Sequence, residues 1–470
     1  MPEHATGVSK RLVPLIVACA LFMENLDSTI LATALPAIAR SLQENPLRLS
    51  LAISSYLLSL AVFIPLSGWV ADRYGARRVF RAAIILFTVG SVLCALAQNP
   101  AQLVVARVLQ GIGGAMMVPV GRLVVLRRIP KQEMVAAMTW ITIPALVAPI
   151  VAPLIGGLIV TYSSWRWIFL INVPIGILGF VLVTRYITEQ APETPRPMDF
   201  RGWVILSIGL CSLVFGAETL GKGILAGGVL SAIIGVGVLA LVLYVLHSRR
   251  QEHPILQLSL LRLPTFHGAV VGGSLFRIAA GASSFLLPLM LQLGFGMTAA
   301  ASGALTFMGA VGAVLMRTRA AQIVRTIGFR HVLVIDAIAS AALLAMCALL
   351  TAGTPRVVML LLFTAIGFSR SIMFTSVNTM GYADVSERDM SYATSFSGTA
   401  QQLALTVGVA IAAQVLHVAA LARGSELPQA PDFPIAFLVI AAVSLTSVIV
   451  YWRLPADAGS SVSGFRLRTP

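Results

Sequence analysis

Fourteen long, nearly continuous apolar blocks run through this chain, at residues 13–35, 50–70, 79–97, 102–124, 134–159, 166–187, 203–219, 224–246, 268–291, 299–316, 332–352, 356–377, 395–420 and 434–452. A helix needs about 20 such residues to cross the hydrocarbon core of a bilayer. Inside lipid every backbone N–H and C=O needs a protein partner, which leaves helices or closed barrels. Barrel strands run to about ten residues with alternating polarity. These blocks are longer and unbroken, so the pattern predicts an all-α polytopic membrane protein. Composition agrees: 58% of the 470 residues are hydrophobic and 11% charged, against about 25% charged in a soluble domain.

The first block is too long for a cleaved leader, lacks a small-residue cleavage site and carries Glu24 and Asp27. Cys19, Cys94, Cys211 and Cys347 all fall in apolar spans without a C-x-x-C pair, so no disulfide and no metal role is expected. No H-E-x-x-H pattern is present, and no G-x-x-x-x-G-K-[ST] loop for ATP. GVGVLA (235–240) fits part of a dinucleotide fingerprint but lies in an apolar span with no preceding strand. These readings argue against an enzyme and imply no cofactor.

A net charge of +15 invites a nucleic-acid reading. Topology explains it better, because cytoplasmic loops collect Lys and Arg. With the N-terminus inside, 23 Lys/Arg fall in cytoplasmic segments and 6 in outer ones; Arg107, Arg122, Arg277 and Arg370 lie within spans. Both termini are therefore expected in the cytoplasm, with no nucleic-acid partner.

The spans divide as six, two and six. A basic, Pro-rich linker (188–202) follows span six and a polar loop (247–266) follows span eight. The expected organisation is a first six-helix bundle over 1–187, a linker with two additional helices over 188–266, and a second six-helix bundle with a tail over 267–470. GWVADRYGARRVF (68–80) and AQIVRTIGFRHVL (321–333) occupy equivalent loops. Aligning Gly75 with Gly328 superposes Arg77 on Arg330 and Val79 on Val332, and puts Arg325 opposite Asp72. Such similarity argues for duplicated halves.

Several polar residues lie inside the spans. An ionised carboxylate there is costly unless paired or wet, so Asp27 is a functional candidate. Glu24, three residues earlier, shares its helix face. Two adjacent carboxylates resist joint ionisation, which suits reversible proton binding; a structural hydrogen bond to a neighbouring helix is the alternative. Arg107 keeps its proton, so a buried Arg107 needs a carboxylate or carbonyl partner. Arg122, Arg277, Gln292, Arg370 and Asn378 are candidates for a substrate cavity. Counting Glu24, Asp27 and Asp336 against four arginines, the embedded charge is about +1, which favours an anion over a cation; local pairing or snorkelling of the arginines is the plainer explanation.

Four motifs carry a family resemblance over nearly the whole chain. LDSTILATALP (26–36), GWVADRYGARR (68–78), RVLQGIGGAMMVP (107–119) and APIVAPLIGGL (148–158) resemble, in order, the motifs of the fourteen-helix drug/proton antiporter branch of the major facilitator superfamily. VPVGRL (118–123) and WIFLINVPIG (167–176) are similar to segments of enterobacterial multidrug exporters of that branch. The resemblance implies a major facilitator fold of two six-helix bundles plus two extra, peripheral helices. It implies a gating loop built from Gly68, Asp72, Arg73, Gly75, Arg77 and Arg78. Gly68 would let two helices approach closely and Gly75 would allow a tight turn. It implies proton coupling through Asp27, Glu24 and Arg107. It also implies an antiporter motif at Pro153, Gly156 and Gly157, although Ala148 and Ala152 stand where the family usually has glycine.

The expected function is proton-coupled export of small amphipathic drugs by alternating access, powered by the proton gradient. An exporter of an organic anion or metal–carboxylate chelate is the first alternative, and a non-transporting membrane receptor the second. The expected setting is the bacterial inner membrane, with substrate, protons and lipid as partners and a monomeric chain.

Overall fold

The computed structural model describes residues 6–128, 134–187, 197–221, 226–386 and 389–463. The Pro-rich stretch of the linker, 188–196, lies outside the described residues, as does the end of the tail. The described residues form helices throughout and no strand. In chain order the long helices are α1 (Thr6–Ser41), α2 (Ser50–Tyr74), α3 (Ala76–Leu96), α4 (Pro100–Arg128), α5 (Met134–Tyr162), α6 (Trp167–Tyr186) and α7 (Phe200–Thr219). They continue with α8 (Gly227–Ser248), α9 (Pro264–Gly294), α10 (Ala299–Ile327), α11 (Phe329–Cys347), α12 (Arg356–Met380), α13 (Met390–Ala422) and α14 (Phe433–Trp452). Thirteen stretches among the described residues are long and apolar enough to cross a membrane. The span expected at 134–159 coincides with α5, whose stretch Val151–Tyr162 is apolar but short by the same measure.

With fourteen long helices among the described residues, the start of α1 and the end of α14 lie on one face, termed the terminal face; the other is the far face. Packing repeats between the first six helices and the last six. In the first set α1 packs on α5 and α6, α4 on α2 and α3, and α3 on α6. In the second set α9 packs on α13 and α14, α12 on α10 and α11, and α11 on α14. Each pair has its counterpart eight helices later. The sets meet where α5 lies along α10 and where α2 lies along α13, again a related pair of contacts.

The repeat expected at Gly75 and Gly328 extends to the backbone. Both are glycines of positive φ, 89° and 82°. Each closes one helix by donating its N–H, to Ala71 O and Val324 O respectively, both at 2.9 Å. Each opens the next helix at once, accepting from Val79 N and Val332 N. Basic stretches read from sequence as loops are thus mostly helix: α10 runs on through Arg317, Arg319 and Arg325, and one glycine makes the turn. The superposed arginines also play matching parts. Arg77 donates to Thr184 O on α6 at 2.5 Å, and Arg330 lies over the Trp452 ring of α14 at 5.4 Å, each tying the turn to the last helix of its set.

The two additional helices pack on each other. α7 also contacts both α2 and α13, lying over the seam between the sets. Its N-terminus is capped by Asp199, which accepts from Gly202 N at 2.8 Å and pairs with His247 of α8 at 2.7 Å. The outer side of α8 exposes Val229, Val236, Leu239, Val242, Leu243 and Leu246, the composition a lipid-facing surface requires.

Candidate functional site

Among the described residues the largest fully buried side chain is charged: Arg107 of α4. Its Nη1 donates to Asp27 Oδ2 of α1, in an ion pair whose side chains are both 0% exposed. The same nitrogen donates to Gln110 Oε1 at 2.6 Å, and Nε donates to Ala52 O of α2 at 3.3 Å. The guanidinium stacks over the Tyr56 ring, 4.0 Å from its centroid, with Phe169 at 5.9 Å on α6. A guanidinium cannot shed its proton, so its burial requires this shell of acceptors and π faces.

Asp27 is the hub of the network. Its Oδ1 accepts from Gln110 Nε2 and from Asn172 Nδ2, both at 2.9 Å. Those two amides share a further acceptor, Ser91 Oγ of α3, at 2.8 and 3.2 Å. Five helices of the first set, α1, α2, α3, α4 and α6, thus contribute to one network around the Asp27–Arg107 pair. Asn172 reaches it because α6 is interrupted at Ile171, where a short first segment gives way to Asn172–Tyr186. Glu24, 6% exposed, lies one turn before Asp27 on α1, in electrostatic reach of Asp27 and Arg122. Gly114 sits against both Glu24 and the Tyr56 hydroxyl. The three residues proposed from sequence for proton coupling are therefore neighbours. Gln110, Asn172 and Ser91 were not singled out from sequence. Their signal was weak: uncharged polar residues in apolar spans, with Gln110 three residues after Arg107.

The expected cavity residues divide. Arg277 of α9 is 2% exposed; it donates to Asn378 Oδ1 of α12 at 2.8 Å and to Ala269 O at 3.5 Å, and lies 5.7 Å from the Phe374 ring. Arg370 of α12 is exposed and donates to Ser284 Oγ of α9 at 3.3 Å. Neither forms an ion pair among the described residues. Arg122 is exposed on α4. Gln292 bonds across the sets instead, donating to Thr33 O of α1 at 2.9 Å. Nearby, Phe276, Phe285 and Met373 are buried, whereas Phe374 is exposed.

Among the described residues, the Gln292 bond is one of three that cross between the sets toward the far face. Asn45 Nδ2 donates to Glu426 O at 2.7 Å, and Ala300 N donates to Thr161 Oγ1 at 2.9 Å. The antiporter-motif residues lie at the same closure. α5 continues as helix through Pro153. Gly156 faces Ile30 of α1, and Gly157 faces the backbone of Ala299. Gly303 of α10 meets the backbone of Pro153 in turn. A side chain at Gly157 or Gly303 would collide with main chain, so α5 and α10 pack at backbone distance. At the gating loop, nothing lies within 4 Å of a Cβ placed at Gly68, so no helix closes on that position in this conformation. The sets still touch near this level, where a Cβ placed at Gly398 of α13 would lie 3.6 Å from Ile64 of α2. Asp72, Arg77 and Arg78 all take part in interactions at this turn.

Comparison with known proteins places this geometry. The sequence pattern described as Major Facilitator Superfamily matches residues 17–409. A relative from Klebsiella pneumoniae subsp. pneumoniae, named "Putative multidrug resistance protein MdtD", is 38% identical over 455 residues, covering 95% of each chain. One of the same name from Escherichia coli O7:K1 is 37% identical over 459 residues, again covering 95% of each. Among solved structures, a peptide transporter POT in complex with sulfate superposes with a TM-score of 0.70 at 14% identity, over 96% of this chain and 95% of that one. A D-xylose-proton symporter gives 0.66 at 14%, over 95% and 98%. The helical repeat, the match across most of the chain and these relatives establish that this multi-pass membrane protein is a transporter belonging to the major facilitator superfamily.

Proposed function

We propose that the protein is a proton-coupled exporter of amphipathic drugs working by alternating access, with α1–α6 and α9–α14 as the two moving bundles. The single observation that carries the reading is the buried Asp27–Arg107 pair with its amide and hydroxyl shell. A permanent cation opposite a carboxylate makes a two-state element. When Asp27 is ionised, it holds Arg107, Gln110 and Asn172, and with them α1, α4 and α6. When Asp27 takes a proton, the charge pair is lost and Arg107 must find other acceptors. A proton then changes the relative energies of two helix arrangements, and a substrate that prefers one arrangement is coupled to it. Glu24 is the adjacent carboxylate through which a proton passes to or from Asp27.

The far-face bonds fit a state open toward the terminal face. The bias of Lys and Arg supports a cytoplasmic position for that face and both chain ends, and we assign the protein to a bacterial inner membrane. Drug as the cargo follows the names of the relatives. A second reading, export of an organic anion or a metal–carboxylate chelate, is favoured by Arg277 and Arg370, whose contacts are neutral. Everted membrane vesicles loaded by respiration distinguish them. Uptake of a lipophilic cation such as tetraphenylphosphonium, abolished by a protonophore, supports the first reading. Protonophore-sensitive uptake of citrate-like carboxylates alone supports the second.

A further inference from the structure

α7 touches both halves of the transporter, and its two contacts differ in kind. Toward α2 it is fastened by polar bonds near both ends. Glu218, 1% exposed, accepts from Ser50 Oγ at 2.8 Å and from Ser54 Oγ. The two serines are four residues apart on one face of α2, so each oxygen of the carboxylate meets its own hydroxyl. Some fifteen residues back, Trp203 Nε1 donates to Val62 O of α2 at 2.9 Å, and its ring meets Phe63 edge-on at 5.7 Å.

Toward α13 the body of α7 presents apolar side chains. Leu206 and Leu210 share a cluster with Ala393 and Phe396, joined by Ala400 and Leu403. Among the described residues no hydrogen bond joins the bodies of α7 and α13. The one polar link, His417 with Gly221 O at 2.9 Å, lies in the turn after α7, at a glycine of positive φ.

We infer that α7 is a strap fixed to α2, so that the additional helix pair travels with the first bundle while α13 slides beneath it. This rests on the alternating-access reading. The physical argument is one of cost. Moving α7 away from α2 would break the bonds of Ser50 and Ser54 to the Glu218 carboxylate and take the Trp203 N–H from its acceptor, Val62 O, and a buried polar group loses heavily when its hydrogen bond is broken. Sliding Phe396 past Leu206 and Leu210 exchanges one apolar contact for another. Glu218 is thus a positioning residue, acting on the gate through α2.

Paired spin labels in the full-length protein, reconstituted in nanodiscs, test this. Arg201 on α7 is paired with Tyr74 on α2 and, separately, with Thr394 on α13; Tyr74 with Thr326 on α10 is the reference across the bundles. All four positions are exposed. Distances are read at neutral and acidic pH, with and without tetraphenylphosphonium. The inference expects the Arg201–Tyr74 distance to stay fixed while Arg201–Thr394 shifts together with the reference. Glu218→Ala should broaden the Arg201–Tyr74 distribution and lower transport several-fold, while Glu218→Gln, which keeps an acceptor, should stay close to wild type. If Glu218→Ala does not fold, Ser50→Ala combined with Ser54→Ala makes the same test. A fixed Arg201–Thr394 distance with a moving Arg201–Tyr74 distance overturns the strap and leaves alternating access standing. A reference pair that does not move overturns both.

Discussion

Asp27 and Arg107 lie 80 residues apart in sequence and form an ion pair from which solvent is wholly excluded. Gln110, Asn172, Tyr56 and Phe169 surround it, so a change in the pair is felt by four other side chains. Removing one member is then not equivalent to removing both.

Arg107→Leu leaves Asp27 buried opposite amides alone, which costs about 3–5 kcal/mol in comparable buried pairs. Yield and melting temperature of the purified protein should fall sharply. Combining Arg107→Leu with Asp27→Leu should restore much of the stability without restoring transport. A double variant as unstable as the sum of the singles would mean that the two side chains do not interact energetically.

The glycines of the gating turn should separate by backbone geometry. Gly75→Ala and Gly328→Ala force a side chain into positive φ with extended ψ, a strain of about 1–3 kcal/mol, and both should lower the melting temperature in detergent. Gly68→Ala meets open space and replaces a helical glycine, so stability should hold or rise by about 0.5–1 kcal/mol. If Gly68→Ala nonetheless slows transport, the surface around it is used in the opposite conformation. A destabilised Gly68→Ala would contradict the open packing described here.

Gly157→Val and Gly303→Val should each prevent α5 and α10 from closing at the far face. A shift of about 1.4 kcal/mol between the two states changes their ratio tenfold, so transport should fall by about that factor with near-normal membrane insertion. Labelling of a cysteine placed at Thr161 should increase in both variants. Unchanged labelling would remove these glycines from the gate.

Arg370→Ala and Arg277→Ala separate the two cargo readings. If anions are carried, Arg370→Ala should raise KM for the carboxylate and spare folding, because its side chain is exposed. If drugs are carried, the same change should leave lipophilic-cation transport within about twofold, the scale of a surface substitution within ±0.5 kcal/mol.

Much of this was legible in the sequence, for a physical reason. Lipid makes helix length and apolarity nearly obligatory, so the long blocks appear as helices with ends displaced by a few residues. A charge inside such a block is equally conspicuous, which is why Asp27, Glu24 and Arg107 could be named together. Gln110, Asn172 and Ser91 could not. Uncharged polar residues are ordinary in membrane helices, and the bonds that join these three to the network reach across as many as 145 residues. Glu218 stands at the end of an apolar block, where a carboxylate reads as the start of a loop. The helical stretch through Arg317 and Arg325 was read as a loop because its charges end the apolar pattern without ending the helix.

The central claim is that Asp27 carries the coupling proton. The most direct measurement uses purified protein in liposomes with an internal pH-sensitive dye and an imposed proton gradient, comparing wild type with Asp27→Asn. The account predicts substrate-dependent proton flux in wild type on adding tetraphenylphosphonium or a carboxylate panel. It predicts none in Asp27→Asn, although that variant inserts and folds. Undiminished substrate-dependent flux in Asp27→Asn would contradict it.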